Sequence, residues 1–328
     1  MGRAERAALG VTVTLALLFA AGSVAAATGR IYVSSEKDHS LTVLDGRSLE
    51  KVGEIQTDDR PRDLQRSPDG RLLYAACGDG NAIDVIDLAA GKVVGQLDVG
   101  EDPEAFALSP DGKLLFVSNE DDGALTIYDL DAHAIVASVP VGEEPEGVLA
   151  HPDGQTVYVT SEVANMVHVV DVAERAVKAN ILVGNRPRRL ALTPDTRELW
   201  VTNEIGGSVS IIDTASNQVK EELTFAPRGF RPEDVTPVGI RMTRDGRTAF
   251  VALGGANHVA VVDVPSRKVR DYILTGHRPW GLALDRDEGR LFVTNGRSDD
   301  LTVVDTASLK VIRSVPVGRV PYGAVVDD

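Results

Sequence analysis

The stretch VYVTSEVANMVHVVD, at Val157–Asp171, shows the pattern on which the rest of the chain is built. It consists of an apolar run, a short polar break and a second apolar run that ends in an aspartate. The stretches LFVSNEDDGALTIYD (Leu115–Asp129) and LWVTNEIGGSVSIID (Leu199–Asp213) repeat it on either side. The closing aspartate recurs at intervals of 42 residues, with one interval of 50, at Asp45, Asp87, Asp129, Asp171, Asp213, Asp263 and Asp305. Seven copies at a nearly constant period indicate a repeat protein.

Each repeat contains four short apolar runs of strand length. In the third repeat these runs are Glu104–Pro110, Leu114–Asn119, Leu125–Asp129 and Ile135–Val141. They are rich in Val, Ile, Leu and aromatic residues and are bounded by turn residues, as expected for β-strands. No sustained helical period follows residue 27. Four strands per repeat, seven times over, predict an all-β fold: a seven-bladed β-propeller of four-stranded antiparallel blades.

Turn residues separate the strands in a regular way. Tight turns are predicted where Pro-Asp-Gly begins at Pro68, Pro110 and Pro152, because proline presets φ, aspartate bonds the backbone and glycine takes positive φ. The seven closing aspartates precede short connections, where their carboxylates can accept backbone N–H groups. Because one occurs in every repeat, we interpret them as turn formers rather than as metal ligands or catalytic acids.

The two ends of the chain predict how the ring closes. The C-terminal run VPYGAVV (Val320–Val326) aligns with the innermost strand of a repeat. The run IYVSS (Ile31–Ser35) near the N-terminus aligns with the second strand. We therefore expect the C-terminal strand to join the N-terminal blade, one strand plus three, which leaves no unpaired edge in the ring.

The first 27 residues have the layout of a secretory signal peptide. Arg3 and Arg6 precede the apolar run Ala7–Ala21, and Ala25–Ala27 supply a cleavage site of the A-x-A type. A retained membrane anchor is the alternative, but the run falls short of the ~20 apolar residues that a span needs. We therefore predict a signal peptide at 1–27, one propeller domain at 28–328, and no membrane contact after cleavage.

Composition narrows the classes of partner. The formal net charge is −15, or −16 without residues 1–27, which carry two arginines and one glutamate. Such an acidic protein is a poor general binder of nucleic acid, because affinity for nucleic acid depends on neutralising phosphates.

The single cysteine, Cys77, allows no disulfide within the chain and is interpreted as a small packed residue. A monomer is expected.

The second strands carry a recognisable motif, at Tyr32–Ser35, Phe116–Asn119, Tyr158–Ser161, Trp200–Asn203 and Phe292–Asn295. It resembles the YVTN family of propeller repeats along the whole chain after the signal peptide. With the signal peptide, the seven repeats and the motif VGxxPxG, the chain is most similar to periplasmic propellers associated with PQQ-dependent alcohol catabolism. The resemblance implies a bacterial periplasmic protein near quinoprotein dehydrogenases and c-type cytochromes. It brings no defined catalytic residues.

Positions that vary between repeats identify the candidate binding surface. In propellers that resemble this one, the loops that lead into the inner strands share one face with the loops between the second and third strands, and we call this face the mouth. The residues that flank the proline of the inner-strand loops include Arg60, Arg62, Asp102, Glu104, Glu144, Glu146, Arg186, Arg188, Arg278, Trp280 and Tyr322. The other loops add Glu36, Glu120, Glu162 and Glu204.

The mouth is predicted to be divided by charge, with acids on two adjacent repeats and arginines and aromatic residues on the others. This pattern fits either ordinary solvated loops or a binding rim. In the second case, Arg278 beside Trp280 suits a flat anionic ligand such as PQQ, because guanidinium groups pair with carboxylates and the ring offers a stacking face. The acidic half suits a basic redox protein, a quinoprotein dehydrogenase or a c-type cytochrome.

The interval of 50 residues places an insertion at Phe225–Pro237 (FAPRGFRPEDVTP). Arg228, Phe230 and Arg231 form an apolar and basic tip. Loops on a rigid scaffold often carry function, so the insertion is either a recognition loop or a neutral addition.

Sequence motifs for catalysis are missing. The six histidines lack metal-ligand spacing, and no phosphate loop, Rossmann fingerprint, nucleophile elbow or covalent haem motif occurs. We predict no catalytic residue and no metal ligand, and we favour a non-enzymatic binding propeller. A lactonase-like, metal-dependent hydrolase and a carrier or maturation factor for a haem-type cofactor are the alternatives.

Overall fold

The computed structural model describes residues 25–328, in which seven four-stranded antiparallel sheets form a closed ring. Residues 1–24, most of the predicted signal peptide, lie outside the described residues. Helix is limited, in the part described, to two 3-10 turns at Pro232–Asp234 and Gly254–Ala256. None of the helices in residues 25–328 has the length and apolar character needed to cross a membrane.

The first four blades follow the chain, except that the last strand belongs to blade 1. Blade 1 consists of β28 (Pro321–Asp327), β1 (Arg30–Ser35), β2 (Ser40–Asp45) and β3 (Lys51–Gln56). Blade 2 consists of β4 (Pro61–Arg66), β5 (Leu72–Cys77), β6 (Ala82–Asp87) and β7 (Lys92–Asp98). Blade 3 consists of β8 (Pro103–Leu108), β9 (Leu114–Asn119), β10 (Ala124–Asp129) and β11 (Ala134–Pro140). Blade 4 consists of β12 (Pro145–Ala150), β13 (Thr156–Ser161), β14 (Met166–Asp171) and β15 (Ala176–Leu182).

The remaining three blades have the same order from the channel outward. Blade 5 consists of β16 (Pro187–Leu192), β17 (Glu198–Asn203), β18 (Ser208–Asp213) and β19 (Gln218–Thr224). Blade 6 consists of β20 (Ile240–Met242), β21 (Thr248–Ala252), β22 (His258–Asp263) and β23 (Lys268–Leu274). Blade 7 consists of β24 (Pro279–Leu284), β25 (Arg290–Asn295), β26 (Asp300–Asp305) and β27 (Lys310–Pro316).

The first strand of each blade borders a central channel. These inner strands contact one another in sequence from β4 to β28, and β28 contacts β4 to complete the circle. The prediction of a seven-bladed, all-β propeller is therefore confirmed.

Aromatic residues at the start of the YVTN-like motif fill the space between neighbouring blades. Trp200 of blade 5, for example, is fully buried in one apolar cluster with Val251 of blade 6. The equivalent side chains in other blades are also buried, at Tyr32, Tyr74, Phe116, Tyr158, Phe250 and Phe292. Burying one such side chain contributes about 2–3 kcal/mol to the free energy of unfolding. Packing between neighbouring blades is therefore a main source of the stability of each blade.

The ring closes as the chain ends predict. β28 pairs antiparallel with β1, with Arg30 opposite Asp327. The fully buried Asp327 accepts hydrogen bonds from the N–H and hydroxyl of Thr28 at 2.8 and 2.6 Å. Its other oxygen lies 2.8 Å from the Arg66 guanidinium of blade 2. The predicted closure by one strand plus three is confirmed, and Asp327 ties three parts of the ring together.

The closing aspartates are turn formers, as interpreted from their repetition. Oδ1 of Asp45 accepts the N–H of Ser48 at 2.8 Å, and this hydrogen bond lowers the pKa of Asp45. The same i to i+3 contact occurs at Asp87, Asp129, Asp171, Asp213, Asp263 and Asp305. The Pro-Asp-Gly turns likewise place Gly70, Gly112 and Gly154 at positive φ.

Candidate functional site

Hydroxyl groups of the YVTN-like motif hold the mouth residues in place. Thr160 Oγ1 in blade 4 accepts the Gly147 N–H at 2.7 Å and donates to the Arg188 carbonyl of blade 5 at 2.8 Å. Equivalent hydroxyls donate to the mouth residue of the next blade at Ser34, Ser118, Thr202 and Thr294. Blades 2 and 6 have Ala76 and Ala252 at this position. Five of the seven mouth positions are therefore anchored to the preceding blade.

Glycines let the inner strands approach closely enough for these contacts. A Cβ atom at Gly323 would lie 2.7 Å from the carbonyl oxygen of Arg62 in the next blade. Gly147, Gly239 and Gly281 face the next blade in the same way. This crowding explains the second glycine of the VGxxPxG motif.

The residue before the mouth proline takes a left-handed conformation in six of the seven blades, Thr236 of blade 6 being the exception. Arg186 has a φ of 56°, and its N–H donates to Asn165 Oδ1 of the preceding blade at 2.8 Å. Arg60 has a φ of 57° and donates in the same way to Nδ1 of His39 at 3.1 Å. His39 therefore has a structural partner in the loop. Hydrogen bonds from backbone N–H groups hold these mouth loops in addition to the ion pairs of their side chains.

Arginines from blade 2 pair with acids from blades 1 and 3. Arg60 forms ion pairs with Asp102 and Glu104, the latter at 2.9 Å. Arg62 also pairs with Glu104, and its Nε lies 3.2 Å from Glu36. Glu104 is fully buried. The acidic and basic residues predicted as separate parts of the mouth are here joined across blade boundaries.

Arginines from blades 5 and 7 make a second set of pairs. Arg186 Nε lies 2.5 Å from Glu162, which also pairs with Arg188. Arg278 pairs with Glu204, and Arg186 Nε lies 3.4 Å from the same carboxylate. The buried Glu162 and Glu204 therefore hold three predicted ligand-binding arginines in position.

Glu146 lies at the centre of a buried polar network. Its Oε1 accepts the Tyr322 hydroxyl at 2.8 Å and lies 3.3 Å from Arg189. Burial alone would raise the pKa of Glu146. The charges of Arg188, Arg62 and Arg189 outweigh burial and hold that pKa well below its usual range. Burial also raises the pKa of Tyr322, so at neutral pH Glu146 is ionised and Tyr322 is protonated.

Trp280 lies in a stack of cationic and aromatic groups. The guanidinium carbons of Arg278 and Arg188 lie 4.7 and 5.2 Å from its ring centroid, and the Tyr322 ring lies 5.4 Å away. Arg62 lies over the other aromatic ring, 4.2 Å from the Tyr322 centroid. Trp280 is partly buried. The stack forms one wall of the channel entrance.

Glu120, like Glu144, is a mouth acid whose carboxylate forms no hydrogen bond or ion pair with any residue within 25–328. Burial, followed by the charge of Glu146, raises the pKa of Glu120. Carboxylate oxygens of Glu120, Asp102 and Glu104 lie within 4.8 Å of one another, close enough to ligate one cation. Asp102 and Glu104 already pair with arginines, so a metal would have to displace them.

A cavity of about 140 Å³ lies in the channel below the mouth. Its polar lining includes four residues that were not predicted as site residues: Asp63, Gln65, Arg189 and Arg241. A signal for two of them was present in the repeats. Asp63 and Arg189 occupy the inner-strand position that is glycine in blades 1, 4, 6 and 7, and a charged residue at such a position has to project into the channel.

The insertion lies beside the mouth between blades 5 and 6. Phe230 packs against the apolar cluster of these blades, and its ring centroid lies 5.4 Å from that of His258. Arg231 pairs with Glu233 and Asp234 of the insertion itself. Arg228 is exposed. Arg228 and Arg231 are thus both exposed to solvent, and Arg228 has no ion-pair partner within residues 25–328.

The histidines near the mouth do not converge within the described residues. His258 Nδ1 lies 2.6 Å from its own neighbour, the Ala256 carbonyl. His39 bonds the Arg60 N–H, and His277 is exposed. His168 lies in blade 4, where its Nδ1 is 2.7 Å from Asn180. No shared histidine ligand set is present at the mouth among residues 25–328.

The fold and the charged channel define a seven-bladed β-propeller with a polar site at one face. Two family models match parts of the chain. The model described as the cytochrome D1 heme domain matches residues 30–148, and the model described as the seven-bladed β-propeller lactonase matches residues 174–311. Neither spans half of the chain. The sequence matches no curated protein.

Solved structures share the fold. Hydrazine synthase of Kuenenia stuttgartiensis has a TM-score of 0.78 at 23% identity, covering 85% of this chain and 93% of that chain. The periplasmic gluconolactonase of Pseudomonas aeruginosa has a TM-score of 0.77 at 22% identity, covering 91% and 99%. Dihydro-heme d1 dehydrogenase NirN has a TM-score of 0.67 at 20% identity, covering 91% and 75%. At these identities the likeness concerns the fold, and the chain is a propeller related in sequence to both lactonase and haem d1 models.

Proposed function

We propose that this protein is a non-enzymatic, periplasmic binding propeller that recognises a flat anionic ligand at its mouth. The observation that carries the proposal is that the guanidinium carbons of Arg278 and Arg188 lie 4.7 and 5.2 Å from the Trp280 ring centroid. A planar carboxylate ligand would lie against the aromatic wall and pair with Arg278. The periplasmic location rests on the predicted signal peptide.

PQQ is the ligand we propose first, because it is planar and carries three carboxylates. A PQQ carboxylate would replace Glu204 as the partner of Arg278. Glu204 would remain compensated, since Arg186 and Arg188 also lie 3.4 and 3.6 Å from it. The ligand would therefore exchange one charged partner for another without leaving a buried carboxylate unpaired.

Calorimetric titration with PQQ tests this proposal. We expect Arg278→Ala and Trp280→Ala each to weaken binding about tenfold or more, because each removes a charge-assisted or stacking contact. Arg313→Ala is the matched control, since Arg313 lies on the exposed outer strand β27. The proposal fails if PQQ does not bind, or if the two mouth variants bind it as well as the control does.

A protein partner fits a different part of the mouth. Glu101, Asp121, Asp122 and Glu143 are exposed on the loops of blades 3 and 4. Val163 and Ile205 are exposed nearby in blades 4 and 5, at 52% and 66%. An acidic surface next to exposed apolar side chains would suit a basic redox protein, such as a c-type cytochrome or a quinoprotein dehydrogenase.

Affinity capture at low salt tests for this partner. We expect recovery of a redox protein that is lost at high salt, because exposed charges are screened. The double variant Glu101→Gln, Asp121→Asn should recover less of it, whereas Asp131→Asn on the opposite face should not change the yield. Capture that ignores both salt and the mouth variant would argue against electrostatic docking.

A lactonase-like hydrolase is the second candidate, favoured by the family model that matches residues 174–311. The metal would have to bind Asp102, Glu104 and Glu120, whose oxygens already lie close together. Lactone hydrolysis that is abolished by a chelator and by Glu120→Gln would support the hydrolase over the binding propeller.

A haem-type carrier is favoured only by the match at residues 30–148. A visible absorption band in protein isolated from its own periplasm would support this third candidate.

A further inference from the structure

The channel cavity lies below the mouth, where Trp280 and Tyr322 of the stack form part of its lining, and it is small. Inner strands of blades 1, 2, 4, 5, 6 and 7 line it, and its volume is about 140 Å³. Pockets for drug-sized ligands and cofactors measure roughly 300–1,000 Å³. The cavity therefore excludes a PQQ- or haem-sized molecule and has room for a molecule of ~5–10 non-hydrogen atoms.

Some polar groups of the cavity are already satisfied by one another. Arg189 Nη2 donates to the Tyr322 hydroxyl at 2.5 Å, and the same hydroxyl donates to Glu146. Arg189 also lies 3.3 Å from the Glu146 carboxylate. This closed network leaves Arg189 and Tyr322 little capacity to bind a ligand directly.

Arg241 is the cation that remains open. Its Nε donates to the Leu282 carbonyl at 3.1 Å, which fixes the plane of the guanidinium group. Its two terminal amino groups have no hydrogen-bond or ion-pair partner anywhere in residues 25–328. Arg241 is exposed to the channel; the protein around it lowers its pKa, and the Asp63 carboxylate opposes that effect. The group stays charged because arginine does not lose its proton in proteins.

Asp63 and Gln65 offer the acceptors of the cavity. Asp63 Oδ2 accepts the Phe106 N–H at 3.3 Å, and within the described chain Oδ1 has no partner. Gln65 uses its amide N–H on the Phe106 carbonyl, which turns its oxygen away from that strand. Burial raises the pKa of Asp63, so this carboxylate gains from a hydrogen-bond donor.

The lining of the cavity is more basic than the protein as a whole. Its charged residues are Asp63, Arg189 and Arg241, in a chain whose formal net charge is −15. Arg189 is already paired with Glu146, so the positive charge open to a ligand is that of Arg241. A positive group in the channel of an acidic protein attracts a small anion.

We propose that the cavity binds a small hydroxy-carboxylate, whose carboxylate pairs with Arg241 and whose hydroxyl donates to Asp63. Two parallel N–H···O bonds from the terminal amino groups of Arg241 suit a carboxylate. The site goes beyond the mouth site and does not depend on the ligand proposed there, since Arg278, which pairs with that ligand, does not line the cavity.

Calorimetric titration of the full chain with lactate, propionate and alanine tests this site, because the three share a carbon skeleton. Lactate should bind about tenfold more tightly than propionate, the usual effect of one added hydrogen bond to a charged group. Arg241→Gln should weaken lactate binding about tenfold or more. Arg241→Lys should bind lactate more weakly than the wild type and more tightly than Arg241→Gln, since it keeps the charge and loses the paired donors.

Arg244→Gln is the matched control, because Arg244 lies just beyond β20, pairs with Glu288 at 3.3 Å and does not line this cavity. Asp63→Ala should abolish the preference for lactate over propionate without weakening propionate. The proposal is overturned if wild-type protein binds none of the acids, if Arg241→Gln binds lactate as the control does, or if alanine binds best. PQQ binding measured on the same variants reports on the mouth separately, so either proposal can fail alone.

Discussion

Glu146 illustrates at the residue scale what the mouth charges do for one another. Its side chain is 2% exposed, and a carboxylate so deeply buried persists only if cations and donors surround it. Tyr322, Arg188 and Arg189 provide them from blades 1 and 5. The network therefore stabilises the packing of blade 4 against its neighbours as well as shaping the channel entrance.

Replacing this carboxylate should change how stability depends on pH. The folded-state pKa of Glu146 lies below the unfolded value of about 4.3. Its stabilising contribution is thus present above that value and is lost as the pH falls toward the folded pKa. We expect Glu146→Gln to cost about 3 kcal/mol at pH 7, because Arg189 loses its one carboxylate partner among the described residues. The gap to wild type should narrow steadily below about pH 5.

Urea unfolding at several pH values between 3 and 7 measures this gap. Glu233→Gln is the control, since Glu233 is exposed and pairs only with Arg231 of the insertion. It should follow the wild type at each pH. A Glu146→Gln variant whose deficit stays constant, or grows, as the pH falls would contradict a depressed pKa at this site.

Single residues also show where prediction from sequence succeeds. The mouth prolines mark Arg62, Glu146 and Tyr322 because the repeats align them. Sequence could not reveal that Arg62 pairs with Glu104 and that Arg188 pairs with Glu162, because these contacts depend on how far neighbouring blades are turned toward one another. The unpaired Arg241 was missed because its repeat position holds varied residues.

At the element scale, the inner strands determine how closely the blades approach the axis. In five of the seven blades the inner strand offers a carbonyl that accepts a hydrogen bond from a hydroxyl of the preceding blade, as Thr160 and Arg188 show. Glycine at the facing position, such as Gly323, keeps that carbonyl accessible. The YVTN-like hydroxyl and the VGxxPxG glycine are therefore two halves of one contact between blades.

Adding one methyl group at this contact should destabilise the protein. A Cβ at position 323 would meet the Arg62 carbonyl oxygen at 2.7 Å, and the backbone would have to move. We expect Gly323→Ala to cost about 1–3 kcal/mol, as overpacking usually does. Thermal unfolding followed by circular dichroism measures the loss.

Gly95→Ala provides the matched control on the outer strand β7. A Cβ there meets no atom within 4 Å, and alanine reduces the entropy of the unfolded chain. This variant should be neutral or more stable by up to ~1 kcal/mol. Equal losses in the two variants would mean that general strand propensity, and not the contact between blades, explains the glycine.

Strand positions follow closely from the sequence because each turn is marked chemically. The predicted run Leu114–Asn119 is β9 itself, and other strands shift by one or two residues. The insertion at Phe225–Pro237 was located correctly, but its role was not accessible from its composition. Phe230 looks like an exposed tip residue in the sequence and is instead packed against blade 6.

At the scale of the whole molecule, stability depends on joining the two ends of the chain. A ring of seven blades has no free edge only while β28 stays paired with β1. The seven repeats and the homologous ends made this closure predictable. The carboxylate contacts of Asp327 were not predictable, because Asp285, at the same repeat position in blade 7, bonds Arg290 of its own blade instead.

Removing the Asp327 carboxylate should weaken the ring where β28 pairs with β1. Asp327→Ala would leave the Thr28 donors and the partly exposed Arg66 without their carboxylate. Breaking a buried charge pair costs about 3–5 kcal/mol, and we expect the lower end because Arg66 reaches solvent. Asp328→Ala, one residue further on, is the control. It removes only an exposed carboxylate that accepts the Arg286 N–H and should change stability by less than ~0.5 kcal/mol.

Hydrogen exchange locates where the Asp327→Ala variant opens. Exchange should accelerate first in β1 and β28, since local opening begins where the contacts of Asp327 are lost. Uniform acceleration over all seven blades would show instead that the ring unfolds as one cooperative unit and that the pairing of β1 with β28 is not its least stable part.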